Sequence, residues 1–233
     1  MIVILTGAGI SQESGIATFR DAGGLWENVR VEDVATPRAF ARNPDRVLDF
    51  YNERRRQLLG QGTAPNAAHK ALARLEQEGR EPFLLITQNV DNLHERAGSK
   101  NLLHMHGELL KARCTACETV LPWERDLTRN DACPDCARTG CLRPHIVWFE
   151  EMPLYLDDID RALSSCRLFV SIGTSGNVYP AAGFAAQARA HGARVMELNL
   201  EPTHGTRVFH QGRYGKAGDI VPAWVEDVLA GKE

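Results

Sequence analysis

Four short apolar runs, each closed by a cluster of glycines and small polar residues, limit what this chain can fold into more than any other feature. Residues 1–6 lead into Gly7-Ala8-Gly9, residues 82–87 into Gln88-Asn89-Val90-Asp91, Leu168 to Ile172 into Gly173-Thr174-Ser175-Gly176, and Arg194 to Leu200 ends in Asn199-Leu200-Glu201. Apolar runs without polar alternation belong to strands buried on both faces, as in parallel sheets. A further short strand is expected over Leu102 to His106. Helical segments lie between. Asn43-Pro44 opens a helix running to Leu59 before Gly60, and Asn66 opens another ended by Gly79. Shorter helices are expected from Asn89 to Ala97, Tyr179 to Ala190 and Pro222 to Ala230, and residues 10–29 read as a loop with short helical pieces. Strands alternating with helices predict an α/β fold whose open parallel sheet is covered on both faces. Ligands bind such sheets at the carboxyl ends of the strands, so the four polar clusters should meet in one crevice.

Composition narrows the function. The chain has 233 residues, 43% hydrophobic and 24% charged, as folded proteins do. Its formal net charge of −3 argues against a non-specific nucleic-acid binder. No apolar run reaches the roughly 18–20 residues of a membrane span. The first residues carry neither a basic segment nor a cleavage site for export. The expectation is a cytoplasmic monomer with no membrane or specific nucleic-acid partner.

Glycines after a strand let the backbone come close to a phosphate. Gly7 and Gly9 fit, but the third position of the dinucleotide fingerprint holds Gln12 and the next glycine is Gly15. A plain turn is the alternative. Gly173-Thr174-Ser175 repeats the pattern at another strand end, and Asn199-Leu200-Glu201 offers partners for ribose hydroxyls or a simple turn before Pro202.

Residues 111–144 break the α/β pattern and hold Cys114-x-x-Cys117 and Cys133-x-x-Cys136. That spacing suits a structural four-thiolate zinc site with no open coordination position. Cys141 is near enough in sequence to be an alternative ligand, and Cys166, beside an apolar strand, reads as a buried thiol.

Among the histidines, period-2 alternation puts His104 and His106 on one face of their strand. His106, next to the turn, is the candidate acid–base group. His69, His94 and His145 read as structural. In the helix from Pro44, Val47, Tyr51, Arg54 and Leu58 share one stripe. An arginine in an apolar stripe needs an anion, either an internal carboxylate or a ligand's. Tyr51 and Arg54 together suit a substrate carboxylate, whereas Arg55 and Arg56 should lie on a solvated face.

Taken in order, Gly7-Ala8-Gly9-Ile10-Ser11, Ser14-Gly15-Ile16-Ala17-Thr18-Phe19-Arg20, Thr87-Gln88-Asn89-Val90-Asp91, His106-Gly107, the paired Cys-x-x-Cys, Gly173-Thr174-Ser175 and Asn199-Leu200-Glu201 resemble the sirtuin family over nearly the whole chain. The likeness is to the class III, bacterial CobB-type members, NAD-dependent protein-lysine deacylases. The resemblance implies a Rossmann-like NAD-binding domain over 1–30, 65–110 and 145–233, a helical insertion over 31–64, and a zinc-ribbon-like module over 111–144. It implies NAD contacts by Gly7, Ala8, Gly9, Ser11, Phe19, Arg20, Gln88, Asn89, Val90, Asp91, Gly173, Thr174, Ser175, Asn199, Leu200, Glu201 and Ala217. His106 becomes the general base, with Asn89 and Asp91 assisting catalysis. Ala35, Tyr51, Arg54, Val147 and Phe149 contact an acyl-lysine whose acyl group passes to ADP-ribose as nicotinamide leaves. NAD is thus a consumed co-substrate, and Zn2+ a structural metal. Family members close to this chain have glycine after Val147-Trp148-Phe149, where this chain has Glu150. Two other readings are a conventional NAD oxidoreductase and a zinc module that binds a nucleic acid or partner without catalysis.

Overall fold

The structure is a computed structural model that describes the whole chain except residues 17, 18, 21–24, 27, 28 and 204, with only the backbone described at 19, 20, 25 and 26. In chain order the strands and helices are β1 (Ile2–Thr6), the two-residue strands β2 (Phe19–Arg20), β3 (Leu25–Trp26) and β4 (Val29–Arg30), then α1 (Val31–Val34), α2 (Pro37–Arg42), α3 (Pro44–Leu59) and α4 (Ala67–Glu78). They continue with β5 (Phe83–Thr87), α5 (Leu93–Ala97), β6 (Leu102–His104), β7 (Gly107–Cys114), β8 (Val120–Pro122) and β9 (Leu142–Ile146). The last are α6 (Leu156–Ser165), β10 (Leu168–Ile172), α7 (Phe184–Ala190), β11 (Arg194–Asn199), β12 (Gln211–Tyr214) and α8 (Ala217–Leu229).

Six strands form a parallel sheet in the order β12-β11-β10-β1-β5-β6. β1 lies between two neighbours and is buried along its whole length, which explains its unbroken apolar run. Its residues divide by pleat. Ile2 and Ile4 join the core with Leu72, Leu75 and Trp224 of α4 and α8. Val3 and Leu5 join the opposite core with Ile159, Leu163 and Phe184 of α6 and α7. From β1 the chain builds one side of the sheet, β5 and β6, and later returns to build the other, β10 to β12. That reversal leaves a crevice beyond the carboxyl ends of β1 and β10.

A second lobe stands on this sheet. β7 runs between β8 and β9 in an antiparallel sheet. Helix α3 packs on it with two sets of side chains: Val47, Tyr51 and Leu58 meet Leu109, Ile146 and Trp148, while Leu48 meets Trp123, Leu127 and the cysteines.

Several sequence expectations change. Arg55 is not solvated but 1% exposed. Its Nε donates to the Leu109 carbonyl at 3.1 Å and its Nη1 to Asn52 Oδ1 at 2.7 Å, bolting α3 to β7. Burial lowers its guanidinium to about 10. Arg56 is exposed as expected and bonds Asp126. Helix α5 starts at Leu93 rather than Asn89, because the Asp91 carboxylate accepts from Leu93 N at 3.0 Å and leaves residues 88–91 as a loop. The expected 179–190 helix is a 3-10 turn, Ala181–Gly183, followed by α7. α8 begins at Ala217 and contains Pro222. β6 stops at His104, short of His106.

Candidate active site

Two glycine turns form the floor of the crevice by touching each other. Gly9 N donates to the Gly173 carbonyl at 2.9 Å and Gly7 N to the Ile172 carbonyl at 3.0 Å. A Cβ on Gly9 would lie 2.8 Å from Gly173 Cα and its carbonyl oxygen, and Gly173 has φ +62. Both positions therefore require glycine. The sheet order sets what stands beside them. Asn199, Leu200 and Glu201 follow β11, Gly173, Thr174 and Ser175 follow β10, Gly7, Ala8, Gly9 and Ser11 follow β1, and Gln88, Asn89, Val90 and Asp91 follow β5. With His106, Ala217, Ala35, Tyr51, Arg54, Val147 and Phe149, they all line one cavity of about 710 Å³. That is within the range of ligand sites. The sequence reading of Phe19 and Arg20 concerns side chains outside those described.

A buried polar cluster braces the β5 end. Ser11 Oγ donates to Asp91 Oδ2 at 3.0 Å and accepts from Asn89 Nδ2 at 3.1 Å. Asn89 Nδ2 also reaches the Gly7 carbonyl at 3.2 Å, tying the β1 and β5 turns together. Burial pushes the Asp91 carboxyl up, against the opposing pull of Leu93 N and Ser11. Beneath Ser11, His69 Nε2 lies 3.3 Å from its Oγ. Burial holds His69 down to about 4, so it is neutral. His94 is likewise buried, against Thr6 Oγ1 at 3.0 Å.

His104 and His106 both reach carbonyls of the β5 loop. His104 Nδ1 is 3.1 Å from the Asn89 oxygen, and its Nε2 is 2.8 Å from Glu95 Oε1. Burial disfavours its charge, but Glu95 outweighs that and raises its pKa. His106 Nδ1 is 3.2 Å from the Gln88 oxygen. Burial lowers its pKa, only partly offset by this carbonyl. A neutral imidazole with its proton on Nδ1 leaves Nε2 as a lone-pair acceptor. Val147 N donates to the His106 carbonyl at 2.9 Å, and Phe149 N to the Ala35 carbonyl at 2.9 Å. The segment after β9 is thus pinned between the histidine and the helical insertion.

At the far end Tyr51 is fully buried, and its hydroxyl accepts from Trp148 Nε1 at 3.0 Å. Burial keeps the phenol protonated well above its usual range. Arg54 lies 3.4 Å over the Phe50 ring and donates to the Phe50 carbonyl at 2.8 Å. The carboxylate of the exposed Glu53 lies 3.4 Å from its Nη1. Trp148 is held by Arg143, whose guanidinium stacks 3.3 Å over its ring, and by Glu151, whose Oε2 accepts from Trp148 N at 2.8 Å. Glu150 has φ +76, the left-handed conformation that suits glycine, and its side chain pairs with Arg38 at the cavity mouth.

The four cysteines meet as their spacing predicts. All four Sγ atoms lie within 4.8 Å of one another, with Cys114–Cys136 and Cys117–Cys133 at 3.7 Å. A tetrahedron with Zn–S bonds of about 2.3 Å has edges of about 3.8 Å, so the donor set fits zinc. The cavity fits a dinucleotide in the same sense: close-packed glycine turns, then the hydroxyls of Thr174 and Ser175 and the polar side chains of Asn199 and Glu201 at one end.

Sequence reasoning missed Arg143 and Glu151, the pair that holds Trp148, because their contacts with it depend on the turn after β9. His69, read as structural, is buried on α4 and supports Ser11.

Comparisons agree with this geometry. The sequence profile of the Sir2 family matches residues 7–180. The chain is 62% identical over 231 residues to the NAD-dependent protein deacylase SIR2rp3 of Leishmania major, covering 98% of this chain and 95% of that protein. It is 58% identical over 228 residues to the NAD-dependent protein deacylase of Pasteurella multocida, covering 98% and 97%. A solved Sir2 homolog–NAD complex superposes with a TM-score of 0.89 at 39% identity, covering 100% of this chain and 90% of that one. A profile match over most of the chain and identities near 60% along nearly its whole length show that the chain belongs to the Sir2 family.

Proposed function

We propose that this chain is an NAD-dependent protein-lysine deacylase, active on acetyl-lysine and on succinyl- or malonyl-lysine. NAD, when bound, supplies the ribose carbon that takes the acyl group, with release of nicotinamide. The residues do the rest. The turns at Gly7–Ser11 and Gly173–Ser175, with Asn199–Glu201 and Ala217, hold the dinucleotide. Asn89 and Asp91, fixed through Ser11, orient its nicotinamide half. His106 Nε2 accepts a proton from a ribose hydroxyl, its ring held by Gln88. Val147 and Phe149 wall the lysine channel and exclude water. Arg54 and Tyr51 bind an acyl carboxylate, with Ala35 leaving space beside them. The lobe of 111–144 is held by structural zinc, the helices of 31–64 carry acyl recognition, and the rest binds NAD. The working unit is a cytoplasmic monomer.

One observation carries this reading: His106, with its Nδ1 proton held by the Gln88 carbonyl, lines the same cavity as the glycine turns and the Tyr51–Arg54 pair. The test is nicotinamide release by zinc-loaded protein on acetyl- and succinyl-lysine peptides side by side. Both should release it. Intact peptides with stoichiometric NADH would favour an oxidoreductase instead.

A further inference from the structure

The tetrahedron of sulfurs has a fifth sulfur beside it. Cys141 Sγ lies 3.4 Å from Cys114 Sγ, yet Cys141 is not among the four cysteines whose sulfurs are all mutually within 4.8 Å. The backbone holds the two residues together. Cys114 ends β7 opposite Leu142, the first residue of β9, and Thr115 N donates to the Cys141 carbonyl at 2.8 Å. Cys141 and Cys114 are therefore diagonal neighbours across one ladder. A disulfide needs their sulfurs drawn in to about 2.05 Å, a small closure from contact. Exposure differs between them. Cys114 is buried and Cys141 only partly so, so a small oxidant in solution meets Cys141 first.

We propose that Cys141 and Cys114 form a peroxide-sensitive redox site that opens the zinc tetrahedron. The Cys141 sulfur attacks one oxygen of hydrogen peroxide, the O–O bond breaks, and the other oxygen leaves as water, giving a sulfenic acid at Cys141. The Cys114 sulfur then attacks the Cys141 sulfur. The S–S bond forms, the S–O bond breaks, and the hydroxide departs as water after taking a proton. One thiol, one zinc-held thiolate, one peroxide and one proton from solvent give one disulfide and two waters, with two electrons passing from sulfur to oxygen. Zinc loses one of four sulfurs, and a site with three ligands holds it less firmly. A dithiol reductant reverses the change. The pairs at 3.7 Å, Cys114–Cys136 and Cys117–Cys133, are less suited to react first, because both sulfurs of each pair are committed to the metal. Cys166 is buried in the core between the parallel sheet and α6 and α7, and serves as the internal control.

The inference is independent of the deacylase reading, because its readouts need no turnover. Zinc-loaded protein is treated with hydrogen peroxide, zinc release is followed with a chromogenic chelator, and disulfides are mapped by mass spectrometry without reduction. The Cys114–Cys141 disulfide should appear first and in step with zinc release, and dithiothreitol plus zinc should restore the metal. Cys141→Ser should bind one zinc and release it at about one tenth of the parent rate or slower, while Cys166→Ser matches the parent. A first disulfide between any other pair, or unchanged zinc release from Cys141→Ser, overturns the proposal. So does a Cys141→Ser protein that binds no zinc, since Cys141 would then be a ligand.

Discussion

The Nδ1 of His106 lies 3.2 Å from the Gln88 carbonyl oxygen, and this contact decides which ring nitrogen carries the proton. Because burial lowers the His106 pKa from 6.5, the imidazole is in its basic form at neutral pH. A base must be deprotonated to act, so activity rises with pH through the histidine's pKa. The acid limb of kcat/KM should lie below 6.5. His106→Ala should lower turnover by about 10²–10⁴ while NAD still binds, as read by calorimetry. A limb above that value would remove His106 from the role.

Arg54 should set acyl preference. A charge-assisted hydrogen bond contributes about 1.5–3 kcal/mol, so Arg54→Met should lower the succinyl-to-acetyl ratio of kcat/KM by about 10- to 150-fold. Acetyl removal should survive. An unchanged ratio would leave Arg54 with its Phe50 and Glu53 contacts as a structural residue.

Gly173→Ala should strain the crevice floor, because a Cβ there would sit 2.6 Å from Ile10 N at φ +62. Overpacking of this kind costs about 1–3 kcal/mol, which lowers Tm by about 2–4 °C per kcal/mol in a protein of this size. The KM for NAD should rise more than the KM for peptide. An unaltered melting curve would mean the two turns can part freely.

Glu151→Ala should be among the more damaging substitutions near the channel. It removes the partner of Arg143, whose side chain is only 6% exposed. Breaking a buried pair costs about 3–5 kcal/mol, with the lower figure suited to Glu151, which is partly exposed. Burial raises the Glu151 pKa, but Arg143 and Trp148 N outweigh this and the net shift is downward. Its stabilisation is therefore present above the unfolded value of about 4.3 and lost as pH falls through the lower folded value. Acid titration followed by tryptophan fluorescence should show that loss in the parent and not in the variant.

Much of this was legible in the sequence where local chemistry dictates position. β1, β5 and β10 announce themselves because a strand covered on both faces has no polar alternation. Cys114, Cys117, Cys133 and Cys136 meet because their spacing does the geometric work. Tyr51 and Arg54 reach one cavity because three residues on a helix keep them on one stripe. Arg55 was opaque for the opposite reason: its partners, Asn52 and the Leu109 carbonyl, combine a helix neighbour with a backbone group 54 residues away. The start of α5 was hidden because the Asp91 side chain, not a periodicity, sets it. β12 is a short polar edge strand, and Gln211-Gly212-Arg213-Tyr214 carries no apolar signal.

β7 starts at Gly107, one residue after His106, and ends on Cys114. A single extended backbone, about 23 Å long at the usual rise per residue, therefore joins the imidazole to the metal lobe. Its first residue has φ +83 and would place a Cβ 2.1 Å from the His145 carbonyl. β7 and β9 are thus pressed together at the end nearest the histidine. Distance between the imidazole and the cysteines is set by covalent reach, as a ruler sets it, rather than by any relay of side chains.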